Sequence, residues 1–467
     1  MARRLQIDAS NRRYWLQIRP SEIQGAGSGL FARRAIPART VLGDYQGRYI
    51  TSRQHVYELP DDRYVFVLSQ PDRRPLWIDG NRRANYLRFV NGCKTRAQEQ
   101  GVNVEVFQYA GKLRFRTSRA IPAGTELILD YGPEYWTTYS NVDGIKHRND
   151  RLLREIDTAL ADCRDARVEA ALRGMKWLLR QMASASAYYA FFVEYLWMFY
   201  EFRLSRCHPV LVDIASKVLT LELDGAQYRL DKMFKPGIED KWRFISIIPI
   251  LHEVSADAGE YARFYRSFFP RSLRYFDASF HYCRRYDDFE GMVAALMDYC
   301  FLEMARHGNR RSRLFRLPES RFAEYWRAIR KYDIRALEAS VTDEDQQFEL
   351  DYQVTHLVMC RFGYGSRILA PRSKFDSDIE AYLRRHDSRI LEEADDMDLI
   401  AELAYCYLEM KIRKRWVQKA IRKILAVQNG DGSWGSAGEV HANLYDRTHQ
   451  TWTAVTALCH SLANQAS

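Results

Sequence analysis

Three short segments in the first third of the chain hold residue types that chemistry uses. The first is Gly25-Ala-Gly-Ser-Gly-Leu-Phe31, in which Gly27 and Gly29 flank Ser28. A loop of this kind lets backbone N–H and C=O groups come close to a ligand. It is not a phosphate loop, because the Gly-Lys-Ser/Thr end is missing, and no helical pattern follows to make a dinucleotide fingerprint. The second segment is Asn85-Tyr-Leu-Arg88-Phe-Val-Asn91-Gly-Cys93. The third is Gly124-Thr-Glu126-Leu-Ile-Leu-Asp130-Tyr131-Gly132, continued by Pro-Glu-Tyr135-Trp136. Amide, carboxylate and phenol groups recur in these two, among apolar residues.

In this order and spacing, the three segments resemble the SET-domain protein-lysine methyltransferases. The stretch from Val104 to Leu127 resembles the PR/SET branch in particular, and the likeness covers about residues 14–136. It implies transfer of methyl groups from S-adenosyl-L-methionine to lysine of a protein or peptide. That reaction is an in-line displacement, so donor and amine must be held within near-attack distance. A channel of aromatic rings suits it, sheathing the lysine stem and favouring cationic groups through ring faces. By the resemblance, Tyr131 of Asp-Tyr-Gly is the central catalytic tyrosine, and Tyr45, Trp77 and Phe115 line the lysine channel. The backbone of Gly27, Ser28 and Gly29 cradles the methionine part of the cofactor. Arg88 and Asn91 lie in the motif that holds the cofactor, and Tyr135 or Trp136 stacks on adenine. Phe115 stands where related enzymes often carry Tyr, which implies products beyond monomethyl-lysine. The sequence departs from most SET enzymes at Gly92, where they have His, and by a longer insert after Cys93. A catalytically silent SET fold used for binding or as a scaffold is the alternative.

The elements that must position these residues change character along the chain. Residues 14–136 alternate Val, Tyr, Phe and Arg with the two-residue period of strands. Tyr64–Leu68, Val104–Tyr109 and Leu113–Thr117 are expected strands, with a tight turn at Ala110-Gly111. From about residue 145 the texture is helical. Arg148–Ala183 holds no Pro, and Val417, Ala420, Ile421, Ile424 and Leu425 form a core-facing stripe. The expected fold is therefore multidomain α+β: a mainly-β SET module over 1–140, then an all-α domain over 141–467, with the boundary near 140–147.

Asp351, Asp398 and Asp446 recur at 47–48 residues, each expected to open an apolar helix as its N-cap. Thr355-His356 and Thr448-His449 recur in the outer copies. Between the last two copies, Gln428-Asn-Gly-Asp-Gly-Ser-Trp-Gly435 resembles the bracing turn of α/α-toroid proteins such as terpene cyclases and prenyltransferases. That implies toroid-like repeats over about 345–467, with a concave face that selects the substrate. Asp395-Asp396 reads as a helix start. A second, cyclase-like or metal-assisted site using His356, His449, Asp351 or Asp446 is a rival for the chemistry.

The chain of 467 residues is 47% hydrophobic and 28% charged, which predicts two or three domains with sizeable cores. Its net charge of +10 is concentrated: residues 1–140 carry 22 basic and 13 acidic residues. A target lysine set among acidic residues would be drawn there. No nucleic-acid motif is present. The eight cysteines never come closer than 17 residues, so no zinc spacing occurs and free thiols in a reducing compartment are expected. No metal is expected. Ala185–Tyr200 is apolar but too short to span a membrane. The expected location is cytoplasmic, or nuclear in a eukaryote.

Overall fold

The computed structural model describes residues 7, 12–23, 26–52, 55–56, 59, 61–69, 74–81, 83–93, 100–182, 185–205, 207–223, 250, 289–308, 321–366, 368–392, 396–435 and 444–463. The chain divides into two compact units. One comprises Met1–His147 with Met182–Ala190, the other Arg148–Gln181 with Phe191–Ser467. A continuous helix, Pro133–Asp162, runs through the point where the sequence places the domain boundary.

In the first unit the strands are β1 (Leu16–Pro20), β2 (Ser28–Ala32), β3 (Val41–Asp44), β4 (Arg48–Ile50), β5 (Val65–Leu68), β6 (Leu76–Asp79), β7 (Asn91–Gly92), β8 (Val104–Tyr109), β9 (Lys112–Thr117) and β10 (Ile128–Leu129). They form a β1–β2 hairpin, a five-stranded sheet in the order β3-β9-β8-β10-β7, and a three-stranded sheet in the order β4-β6-β5. β8 and β9 meet through Ala110 and Gly111, both at positive φ, the backbone that two-residue hairpin turns require. Tyr64 lies in the turn before β5 rather than in the strand.

The pairing that matters most is parallel. β10 lies between β7 and β8, with Ile128 opposite Asn91, Leu129 opposite Gly92, and Leu129 opposite Val104. Cys93 N–H adds a bond to the Leu129 carbonyl. The second and third sequence segments are therefore stitched side by side. Leu30, Leu42, Ile78, Leu87, Leu113 and Leu127 form the core beneath them.

The second unit is helical. The expected run Arg148–Ala183 is interrupted at Asp165, whose carboxylate accepts from Arg167 N–H at 2.8 Å and starts the helix Ala166–Gln181. Asp351 does not cap a helix. It sits inside Glu344–Arg361, which Asp343 caps, and it is buried against Tyr382 and Arg389. Met397–Met410 is capped by Asp396, leaving Asp398 in its first turn, and Asp446 lies in the first turn of Leu444–Ala463. Asp395 falls outside the described residues.

The Gln428…Trp434 turn joins several helices. Gln428 donates to the Ala170 carbonyl at 2.9 Å, and the fully buried Trp434 indole donates to the Ile424 carbonyl at 2.7 Å. The last helix, Leu444–Ala463, packs on Ala166–Gln181, the second helix of this unit in chain order. The apolar Ala185–Leu204 segment is a largely buried helix. Among the described residues, no helix is long and apolar enough to cross a membrane. The seven described cysteines are free thiols, and Cys283 lies outside the described residues.

Candidate active site

The glycine loop leads into β2, and β2 presents a divided edge. Gly27 and Ser28 are exposed, whereas Gly29 is buried. A methyl group on Gly29 would overlap the Glu126 carboxylate. Only glycine lets that carboxylate lie beneath the loop. Glu126 is buried and accepts from Ser21 Oγ (2.7 Å), Glu22 N–H (2.9 Å) and Asn91 Nδ2 (3.0 Å). Asn91 Nδ2 also donates to the Ser28 carbonyl at 3.1 Å. The Asn91 amide nitrogen is thus spent on the loop, which it holds from below together with Glu126. Glu126 belongs to the quoted Gly-Thr-Glu-Leu segment, yet nothing in its sequence context foretells this fastening role.

One step along the chain, the Val90 carbonyl accepts from the Tyr131 hydroxyl at 2.8 Å. Burial, followed by Tyr135, Tyr45 and Tyr64 nearby, raises the Tyr131 phenol far above its ordinary range. The Tyr131 ring lies 4.7 Å from that of Tyr135 and 6.3 Å from that of Phe66. Phe66 in turn meets Tyr45 edge-on at 4.7 Å and Phe115 at 5.8 Å, while Tyr45 and Phe115 stack at 5.5 Å. Five rings from β3's end, β5, β9 and the start of the long helix therefore converge. Phe66 is the member that the sequence reading lacks. It shares the core-facing side of β5 with Leu68, a position the two-residue strand period marks.

Tyr45 is fixed through its hydroxyl, which donates to the Tyr64 carbonyl at 2.9 Å. A methyl group on Gly80 would overlap that hydroxyl, so a glycine is needed there. Burial above all drives the Tyr45 phenol upward, against the pull of Arg88. Tyr135 donates to the Arg63 carbonyl at 3.2 Å, and burial raises its phenol as well.

Three expected site residues have partners that the sequence reading did not name. Trp77 is not among the five rings. On β6 it faces away from Ile78 and packs on the separate cluster of Ile50, Val56 and Leu59. A strand shows successive side chains to opposite faces, and Ile78 has taken the main core. The Arg88 guanidinium lies over Tyr64 at 4.8 Å and meets the Asn81 carbonyl at 3.4 Å; neither belongs to the glycine loop. Tyr135 joins the Tyr131 ring group. The side chain of Trp136 lies outside the described residues.

In the helical unit, His356 pairs with Glu402 at 3.4 Å and His449 with Asp398 at 3.1 Å, and both histidines border one cavity. Asp351 is committed to Tyr382 and Arg389 and is not part of that lining. Among the described residues, no group of three or more His, Cys, Asp or Glu side chains is arranged to hold a metal ion.

Comparison with known proteins bears on the first unit. Residues 16–141 match the family model described as PR domain zinc finger protein 2, PR domain. Histone-lysine N-methyltransferase set-17 of Caenorhabditis elegans is 31% identical over 121 residues, covering 26% of this chain and 41% of the relative. Histone-lysine N-methyltransferase PRDM7 of Homo sapiens is 33% identical over 123 residues, covering 26% of this chain and 24% of the relative. The chain thus spans less than half the length of these curated relatives. Among solved structures, the ATXR5 SET domain in complex with histone H3 is similar at 22% identity and a TM-score of 0.23, covering 25% of this chain and 57% of that one.

Proposed function

We propose, on the premise that residues 16–141 are a PR/SET-type SET domain, that this chain is an S-adenosyl-L-methionine-dependent protein-lysine N-methyltransferase. The observation that carries the reading is the cluster of five aromatic rings that includes Tyr131, whose hydroxyl is anchored one residue from the Asn91 amide that holds the glycine loop. The residues fit the cofactor. Gly27 and Ser28 offer exposed backbone, and Glu126 with Asn91 keeps that backbone in place from beneath. When bound, S-adenosyl-L-methionine supplies a methyl group on a cationic sulfur.

The protein's own groups do the positioning. Tyr131 stays protonated throughout the physiological range, because its phenol is raised by burial. It is therefore an oriented dipole and not a general base, and the lysine must arrive as the neutral amine. Tyr45, Phe66 and Phe115 form a wall of ring faces and edges that suits an alkyl stem ending in a charged or polarised group. Phe115 offers no hydroxyl to restrain the amine, which favours di- and trimethylation. The helical part, with toroid-like repeats over about 345–467, selects the substrate.

The substrate is a protein or peptide. The named relatives are histone-lysine methyltransferases, which supports a chromatin substrate; they give no support to the cytoplasmic location expected from the sequence. The test incubates the full-length protein with isotope-labelled S-adenosyl-L-methionine and histone and whole-cell extracts. Label on lysine, mapped by mass spectrometry, is the expected result. Tight cofactor binding with no labelled lysine in any extract would leave the silent scaffold instead.

A further inference from the structure

The helical unit carries a partly open cavity of about 320 Å³ that the methyl-transfer reading does not use. Its volume lies at the lower end of the range typical of small-molecule sites, about 300–1,000 Å³. Two kinds of side chain dominate its described lining. Trp197, Phe301 and Tyr364 form one wall, their rings 4.5 to 5.4 Å apart, with Trp452 also in the lining. Glu194, Glu201 and Glu402 bring three carboxylates, all buried, against the two histidines His356 and His449. Asp398 stands behind His449 and Glu402 pairs with His356, while Glu201 accepts from the Trp452 indole.

Two polar groups in this lining stay unanswered. The Trp197 indole N–H and the Tyr405 hydroxyl are fully buried and have no hydrogen-bond partner among the described residues. Both groups are packed within the wall rather than open to the space. A metal ion does not fit, because no three-ligand group is arranged for one among the described residues. Rings and carboxylates around one space fit a cation that is itself partly apolar.

We infer that this cavity binds a small organic ammonium ion, its charge set against Glu201 and Glu402 and its alkyl groups against the rings of Tyr364 and Trp452. The site stands independently of the methyltransferase reading.

Glu201 gives the binding a signature. Its carboxylate accepts from the Trp452 indole at 2.5 Å and from Thr456 at 3.5 Å, and burial pushes its pKa up to about 7. Glu194, Glu402, His356, His449 and Tyr405 face the same space, and His460 and Asp398 lie just behind. A cation bound beside Glu201 favours its ionised form, so at pH 7 binding releases protons.

Calorimetry on the full-length protein uses three probes: choline, its uncharged carbon isostere 3,3-dimethyl-1-butanol, and N-acetyl-trimethyl-lysine methylamide. At least one ammonium probe is expected to bind about tenfold or more tighter than the isostere, the scale of a desolvated cation–π contact. Its heat should vary with the buffer's ionisation enthalpy, as proton release requires. Glu201→Gln keeps an acceptor for Trp452 and should weaken the ammonium probe about tenfold without changing the isostere. Preference for choline names a free amine as occupant; preference for the lysine derivative names a side chain. Equal binding of isostere and ammonium probes, or no saturable binding of either ammonium probe to the folded wild-type protein, would overturn the inference. Those comparisons need no variant, so a misfolded Glu201→Gln would not rescue it.

Discussion

Tyr131 is held at two points: its hydroxyl on the Val90 carbonyl and its ring against Tyr135. Removing only the hydroxyl leaves the ring contacts, so Tyr131→Phe should fold and bind S-adenosyl-L-methionine as before. Methyl transfer should fall about 10²–10³-fold, the usual loss for a polar contact used in the transition state. A single-turnover assay reads it, and wild-type turnover would remove Tyr131 from the reaction. Asn91 makes the opposite prediction. Its amide supports the loop, so Asn91→Ala removes one of the three donors to the Glu126 carboxylate and the donor to the Ser28 carbonyl. A hydrogen bond to a charged group contributes about 1.5–3 kcal/mol, so cofactor affinity should drop roughly 10–100-fold by titration. The motif spacing made Tyr131, Asn91 and the glycine loop legible. It did not reveal that Glu126 fastens them, because a buried carboxylate under a glycine is a tertiary fact with no local pattern. Phe66 was within reach of the strand period. The packing of Trp77 on the second cluster was not legible, because which face of β6 meets the main core is set by its neighbours and not by its own sequence.

At the scale of elements, hairpin β8–β9 was readable from alternation and its turn, and the helix Lys414–Ala426 from its apolar stripe. Asp351 shows the limit: a recurring Asp was read as a cap, but the true caps are Asp343 and Asp396. Spacing gives period without phase, and the phase is set by which turn buries its carboxylate. The helices also carry a pH dependence. Burial lowers the His449 imidazole pKa, but Asp398 beside it more than reverses this, bringing it to about 9. Between the ordinary value of about 6.5 and 9, the folded chain keeps a proton that the unfolded chain releases. The stability from this pair is therefore complete below about pH 6.5 and is lost as pH rises through 9. Melting temperature measured from pH 6.5 to 9 should fall, and His449→Gln should flatten that slope. A variant with the wild-type slope would assign it to another group.

The molecule as a whole carries its excess charge unevenly, with 22 basic against 13 acidic residues in the first 140. A field of that sign speeds encounter with acidic surfaces and is screened by salt, with a Debye length of about 10 Å at 0.1 M. Capture of a lysine peptide flanked by acidic residues should weaken as salt rises from about 50 to about 300 mM. A peptide flanked by neutral residues should change little. Equal salt dependence for both, in a surface-capture assay, would remove charge from substrate choice. Chain length and the shift from alternating to helical texture made the two-part organisation visible. They did not show that residues 182–190 return to the first unit, since a segment of nine residues carries no signature of the unit it joins.

The parallel seam of β10 between β7 and β8 also governs how the protein is made. Val90 and Asn91 leave the ribosome before their partners, Tyr131 and Glu126, which follow 41 and 35 residues later. At roughly 5–20 residues per second, the wait is about 2–8 seconds. Throughout that interval the nascent chain carries unpaired strand edges and no cofactor cradle, a state suited to chaperone capture and to aggregation. A premature stop anywhere before residue 126 therefore does not yield a weaker enzyme. It yields a chain in which neither half of the cradle has been closed.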